Sequence, residues 1–353
     1  MNSAALMDPP TQLVPKVVQP TQSVSDLVAA TRPFAREIRW KSWWHVGSTL
    51  AVITGVLACA ALAPWWPLQL ALSLLGALTM VRGFILFHDF AHGAILRKSK
   101  VARVLLSVYS MIFMAGVSYW REAHNFHHAN CCDRRASWQG DFPVWTLEQW
   151  QSAKPLQRLY YRVNRSPVTI FLAYITVFFF ANTLEPFLRH PLRHWTSGAS
   201  ILLHVGLIAG LWWLGGFWVA FFGFWMPYAL AAILGAYLFY AQHNFPGMEV
   251  LPTSEWNRTE AALRCTSHMR MNPFLDWCTG DIGYHHVHHV NSAIPFYRLK
   301  EAMRAIPALQ QPRATTLRPR DVWRCLRLKL WDDAGKRMLT WRQARALMAA
   351  QPA

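Results

Sequence analysis

Four histidines crowd into five positions, His285, His286, His288 and His289, within the stretch Asp281-Ile-Gly-Tyr-His-His-Val-His-His-Val290. Imidazole is a mediocre core filler and, when neutral, a good metal ligand. In a helix His285, His288 and His289 sit at i, i+3 and i+4 and line one face, and His286 points elsewhere. Three other places could complete such a face. His88 and His92 stand at i, i+4 in His-Asp-Phe-Ala-His-Gly, His124, His127 and His128 form another HxxHH set, and His243 stands alone in Ala-Gln-His-Asn-Phe. A first-row metal ion takes at most about six ligands, so nine converging imidazoles imply at least two ions. Matching helical positions carry no carboxylates, which disfavours an oxygen-rich Mg or Ca site; imidazole suits Fe, Zn, Cu or Ni. Asp89, Glu122, Asp133, Asp141 and Asp281 lie close by in sequence and could accept a hydrogen bond from the ring N–H that faces away from a metal. Each could equally be an ordinary surface carboxylate. The remaining histidines read as structural residues: His45 and His204 are lone residues at or in apolar runs, His190 and His194 flank Pro191 in a basic loop, and His268 has no partner at metal spacing.

The elements that must position these residues belong to a membrane-type chain. Of 353 residues, 53% are hydrophobic and only 15% charged, with 19 Trp and 20 Phe. A soluble domain carries about 25% charged residues. The formal net charge is nevertheless +17, so the charges concentrate between apolar runs. A basic surface of this kind suits anionic headgroups and the positive-inside bias. No basic module stands apart from the apolar runs, so nucleic acid is not an expected partner. The six cysteines include no CxxC pair, which argues against a disulfide framework and for a reduced cytosolic face. The polar first twenty or so residues have no signal-peptide pattern.

Residues 1–30 read as a disordered leader, 31–310 as the membrane domain and 311–353 as a basic tail. Apolar runs of roughly the length needed to cross a hydrocarbon core lie at about 44–62 and 68–87, joined by Ala63-Pro64-Trp65-Trp66-Pro67. A second hairpin is expected at about 201–214 and 217–240, with Gly215-Gly216 as its turn. The run at about 104–117 is short, and 168–184 precedes a basic loop (Arg189, His190, Arg193, His194), so both read as re-entrant or interfacial. The expected fold is therefore an all-α, multi-pass membrane protein. It has about four transmembrane helices, one or two re-entrant or interfacial helices, and a cytoplasmic helical cap carrying the histidines. Both termini then face the cytoplasm, as does the histidine face. In the tail, Trp323, Leu326, Leu330 and Trp331 among Arg324, Arg327, Lys329, Lys336 and Arg337 suggest a basic amphipathic helix on the membrane, or an ordinary packed helix.

The motifs resemble those of the membrane fatty acid desaturases, over about residues 80–300. The resemblance is carried by His124-Asn-Phe-His-His-Ala with Asp133-Arg134-Arg135, by Gly140-Asp141 and Val144-Trp145-Thr146-Leu147, and by Gln242-His243 and Trp256. It continues in Gly280-Asp-Ile-Gly-Tyr-His-His-Val-His-His with Ile294-Pro295-Phe-Tyr297. It is strongest to bacterial and plant-type acyl-lipid desaturases. It implies a non-haem di-iron centre on the cytosolic side of a membrane, here a bacterial inner membrane, with the acyl chain entering between the helices. It also implies His88, His92, His124, His127, His128, His243, His285, His288 and His289 as iron ligands. Asp89, Asp133, Asp141, Asp281 and Trp256 are the residues expected to support them. Two departures stand out. Asp281 occupies a position where related sequences often carry Asn, and Phe239 occupies the place where the acyl-thioester branch has a water-holding Asn.

An unactivated methylene C–H resists acid–base chemistry, so a redox metal with O2 must do that work. The expected reaction inserts a cis double bond into the acyl chain of a membrane lipid. No haem module or iron–sulfur cysteine set is apparent in the sequence, so the electrons are expected from a separate ferredoxin or b-type cytochrome, which a basic face would suit. A lipid or carotenoid hydroxylase or ketolase on the same scaffold is the alternative. A histidine-rich transporter would place ligands and carboxylates mid-membrane. A structural zinc protein, suggested by Cys131 and Cys132 near His128, needs only four ligands.

Overall fold

The computed structural model describes residues 24–133 and 140–350. Most of the expected leader lies outside these residues, as do Arg134 and Arg135. The leader's described end is ordered: Val24–Thr31 is a helix that buries Leu27, and Thr31 accepts a hydrogen bond from Asn291 (3.0 Å).

The first apolar run extends beyond its expected bounds, as Arg39–Leu62, and the second is Trp66–His92. At 1.5 Å per residue they are about 36 and 40 Å long, enough to cross a bilayer core. Pro67 suits the first turn of the second helix because its missing N–H would be unpaired there anyway. That helix is the central one: 61% of its apolar window is buried, against 22% for the first helix. Gly83 permits a close approach of Tyr109, whose hydroxyl donates to the Met80 carbonyl at 2.6 Å.

Among the described residues, three helices are long and apolar enough to cross a membrane, and a fourth is counted if Lys100–Ile112 and Val117–Asn130 form one broken span. The longest candidate, Trp195–Gln242, has 48 residues. It cannot be one rod. Gly216 has φ 82° and ψ 179°, and the His204 ring lies 5.2 Å from Phe224 and 4.5 Å from Tyr228. In a straight helix residues 204 and 228 would be about 36 Å apart. The chain therefore folds back at the Gly215-Gly216 turn into arms 195–215 and 217–242, the first starting six residues earlier than expected. The 104–117 run is Lys100–Ile112, capped by Ser99, followed by a break and an 89° bend into Val117–Asn130. The 168–184 run is a broken path: Pro167–Phe171, π-helical turns over Tyr174–Leu184, then Glu185–Arg189.

The fold is mostly helical but not all-α. Trp145–Thr146 pairs in parallel with Leu328–Asp332, which pairs antiparallel with Arg337–Thr340; His268–Arg270 pairs with Ala314–Thr316. This corrects the reading of the tail as one amphipathic helix. Pro319–Arg327 is helical, but Leu328–Asp332 is a strand buried at every position, and Trp331 is 1% exposed. The Asp332-Asp333-Ala-Gly335 turn reverses the chain, with Gly335 N–H donating to Asp332 (3.0 Å), and pairs the two strands. Helix Trp341–Ala350 closes the tail.

One buried cation ties these parts together. Arg82, 2% exposed, donates from Nε to Thr49 (3.0 Å) and from Nη1 to the Trp277 carbonyl (2.5 Å), meets His45 Nδ1 with Nη2 (3.0 Å), and lies over the Trp277 ring. These partners come from Arg39–Leu62 (His45 and Thr49) and from Pro273–Cys278 (Trp277), so the first two long helices and the polar cap lock in one register.

Candidate metal centre

Four segments deliver the nine histidines. His88 and His92 lie in the last turns of Trp66–His92, which stops at Gly93 in the left-handed conformation (φ 74°). That cap sends the Gly93 N–H to Phe90 O and the Ala94 N–H to Asp89 O, and turns the chain away just past the site. His124, His127 and His128 lie on Val117–Asn130, His243 directly follows Met226–Gln242, and His285, His288 and His289 lie on His285–Val290. Eight of the nine are buried and His92 is half-buried.

They form two sets. His88, His92, His124, His128 and His288 make one; His127, His243, His285 and His289 make the other, with one donor atom per residue and all donors of a set within 4.8 Å of one another. In the first set His128 Nε2 lies 3.2 Å from His124 Nε2 and 3.1 Å from His288 Nε2. In the second, His243 Nε2 lies 3.1 Å from His127 Nε2 and 2.8 Å from His285 Nε2. Ligands on metal–nitrogen bonds of 2.0–2.1 Å at right angles would be about 3 Å apart. The spacing therefore fits nitrogens converging on a common ion. The HxxHH face expected to act as a unit is split: each helix gives its i, i+4 pair to one set and its remaining histidine to the other. The sets touch through His128 and His289, stacked at 4.2 Å.

The far side of the rings is partly anchored. His88 Nδ1 meets Asp89 Oδ1 at 3.2 Å, and Asp89 Oδ2 accepts the Phe296 N–H at 2.6 Å. His127 Nδ1 meets Asp141 Oδ2 at 3.2 Å, and Asp141 Oδ1 accepts the Phe142 N–H at 2.7 Å. Each carboxylate is thus held by backbone while it orients a ring. Trp120 stacks on His124 at 4.5 Å. Among the described residues, His92 Nε2, His128 Nδ1, His285 Nδ1, His288 Nδ1 and His289 Nε2 are buried without a hydrogen-bond partner. Such groups are costly to bury, and a cation would satisfy those that face it. Burial, then neighbouring imidazoles, holds His285, His288 and His289 well below the ordinary histidine range. They are neutral at pH 7, the form that binds metals.

The other expected site residues sit elsewhere. Asp133 accepts from Thr253 (2.9 Å), and Trp256 donates to the Cys131 carbonyl (2.9 Å), one residue run behind the histidines. Asp281 is in a left-handed conformation (φ 52°); the charges that act on it are Asp276, Lys300 and Arg82, and none is a histidine of either set. Glu122 pairs with Arg193. His286 meets the Leu309 carbonyl (3.1 Å) and stands outside both sets. His204 meets Tyr174 (2.9 Å) and the Ile112 carbonyl (2.8 Å), and His268 packs on Tyr284. Sequence reasoning missed Trp120 and Arg82, which only contacts reveal. It noted Cys131 beside His128, whereas the thiol faces His243.

A cavity of about 800 Å3 opens beside the site. His88, His124 and His285 line it, with Phe113, Phe178 and Leu238 on its apolar wall and Arg189 and Arg193 among its polar residues.

Apolar helices that gather nine histidines into two metal-capable sets beside such a cavity define a membrane-type histidine-cluster metalloprotein. The family model for fatty acid desaturases matches residues 63–320, and the chain belongs to the fatty acid desaturase family. It is 27% identical over 298 residues, 84% of each chain, to a fatty acid desaturase of Bacillus subtilis. It is 26% identical over 274 residues, 74% of each chain, to an sn-1 oleoyl-lipid 12-desaturase of Synechocystis. An sn-1 acyl-lipid omega-3 desaturase (ferredoxin) of Synechocystis is 25% identical over 270 residues, 73% of this chain and 72% of the relative. The protein is accordingly an enzyme of the desaturase class.

Proposed function

We propose that this enzyme inserts a cis double bond into the acyl chain of a membrane lipid, using O2 and two iron ions. The carrying observation is the shared position of the two histidine sets and the apolar cavity. His88, His92, His124, His128 and His288 would hold one ion and His127, His243, His285 and His289 the other. The ions supply the redox chemistry with O2 that removes two hydrogens from adjacent methylenes. Overall, –CH2–CH2– with O2, two electrons and two protons gives –CH=CH– and two waters.

The chain's own part is binding and placement. Phe113, Phe178 and Leu238 line the path of the acyl chain and exclude water, so that one pair of carbons rests beside His88, His124 and His285. Asp89 and Asp141 hold the tautomers of His88 and His127. The basic flank before Arg39–Leu62 favours a cytoplasmic site, with the 167–189 segment dipping into the membrane rather than crossing it. Electrons come from a separate donor such as a ferredoxin; the name of one relative and the net charge of +17 support an acidic one.

Expression in a bacterial host that lacks the product double bond, together with a donor, tests this reading. The expected result is new unsaturated acyl chains in the phospholipid or glycolipid fraction and about two irons per purified chain. Hydroxylated acids or oxidised carotenoids in their place would overturn it.

A further inference from the structure

His243 is the one histidine of the two sets whose second nitrogen faces sulfur. Its Nε2 points at His127 and His285, and its Nδ1 lies 3.5 Å from Cys131 Sγ. Cys131 Sγ is in turn 3.9 Å from Cys132 Sγ. Cys132 Sγ also lies 3.9 Å from the Cys265 carbonyl, and all three cysteines are at most 5% exposed. Cys131, Cys132 and His243 offer three donor atoms within 4.8 Å of one another.

The geometry points to a second kind of metal site, in which Cys131, Cys132 and His243 Nδ1 bind a thiophilic d10 cation such as Zn2+. Zinc bonds of about 2.3 Å to sulfur and 2.0–2.1 Å to nitrogen, at tetrahedral angles, separate two sulfurs by about 3.8 Å and a sulfur from a nitrogen by about 3.5 Å. The observed 3.9 Å between the Cys131 and Cys132 sulfurs and 3.5 Å from Cys131 to His243 Nδ1 match these two separations. The backbone that aims the thiols is fixed as well. Cys132 adopts φ 56°, its carbonyl accepts the Leu251 N–H (3.3 Å), and the Cys131 carbonyl accepts the Trp256 indole N–H (2.9 Å). Dry, thiol-rich surroundings with a nitrogen beside two sulfurs suit a soft cation. A cation there would grip the His243 ring from behind, as the carboxylates of Asp89 and Asp141 grip His88 and His127. The site shares His243 with the proposed iron centre but uses the opposite nitrogen, so with both ions bound the ring would be an imidazolate, its N–H proton and the two thiol protons released to solvent; the site stands or falls on sulfur coordination, not on iron.

The test uses the full-length, iron-loaded protein in detergent, in a Cys59→Ser background that removes the one exposed thiol. Addition of Cd2+ is expected to saturate at one equivalent per chain, with cadmium–thiolate charge-transfer absorption and no loss of iron. Cys131→Ser with Cys132→Ser is expected to abolish that absorption. Zinc-edge X-ray absorption of the Cys59→Ser protein, loaded with one Zn2+, needs no further variant: two sulfurs and at least one nitrogen around zinc are expected. A shell of nitrogen and oxygen alone, absorption that survives in the double variant, or iron released in step with cadmium uptake would overturn the proposal. A sulfur-rich zinc shell in a protein without two irons would sink the iron reading and leave this one standing.

Discussion

The Val117–Asn130 and His285–Val290 helices carry the same HxxHH spacing and use it in opposite senses. From the first, His124 and His128 join the five-member set and His127 crosses to the four-member set. From the second, His285 and His289 join the four-member set and His288 crosses back. Residues at i and i+4 lie one above the other on a helix, and the i+3 residue is offset around it. Two facing helices with this spacing can therefore clasp two ions and brace each with a ligand from the opposite side. The sets still differ. The five-member set is anchored behind by Asp89 alone, and the four-member set by Asp141 and the Cys131 thiol. The set with fewer nitrogens has more support at its back, so the loss of one ligand should weigh more on it.

The largest expected effect follows directly. His285→Ala leaves three imidazoles for its ion and should remove about one iron per chain and all measurable desaturation. His92→Ala leaves four and should retain more iron. Metal analysis of both purified variants decides, and equal losses would break the distinction. Next, Asp141→Asn and Asp89→Asn should each weaken iron binding by about 10–100-fold, read by competition with a chelator. A deficit confined to Asp89→Asn would show that the thiol compensates on the other side. A smaller effect concerns the cavity the two sets share. A Cβ at Gly235 would touch only Phe178, at 4.0 Å, so Gly235→Leu folds and narrows the apolar wall. The product profile should shift toward shorter acyl chains with iron content unchanged.

The smallest effect is one of stability. Burial, and Asp276 after it, pushes Asp281 up to about 6 from 3.8. Between these values the native chain holds a proton that the unfolded chain has released. The stability linked to this group is full near pH 4 and lost as the pH rises through 6. Asp281→Asn keeps a residue tolerant of φ 52° and removes the charge. It should stabilise the protein above pH 6 by about 1–2 kcal/mol, after allowance for partial exposure, and by almost nothing near pH 4. Thermal unfolding in detergent at the two pH values reads this; a gain that is the same at both would refute it.

Eight of the nine histidines and the second hairpin are legible in the sequence because each rests on a local pattern: an HxxHH or HxxxH spacing, and a Gly-Gly pair inside an apolar run; His243 is marked only by its place at the end of the last apolar run. The division into two sets is not, since it depends on how two helices face each other. Asp281 shows the same limit. Four residues from His285, it looks like a partner for a ligand, yet its backbone turn sends it toward Asp276 and Arg82. Asp89 and Asp141 reach their histidines because backbone N–H groups hold them there. The tail misled for another reason. Leu328-Lys-Leu-Trp331 suits a helix face or a buried strand equally, and only the Asp-Asp-Ala-Gly turn that follows chooses between them.

The reciprocal donation also fixes the order of assembly. Each histidine set draws on a residue from position 285 or later, in a chain of 353, and the four-member set takes half of its ligands from there. A nascent chain can thus thread both hairpins into the bilayer while neither metal site exists. On the proposed function, a chain ending before His285 would carry its apolar helices and yet lack a complete set of ligands for either ion.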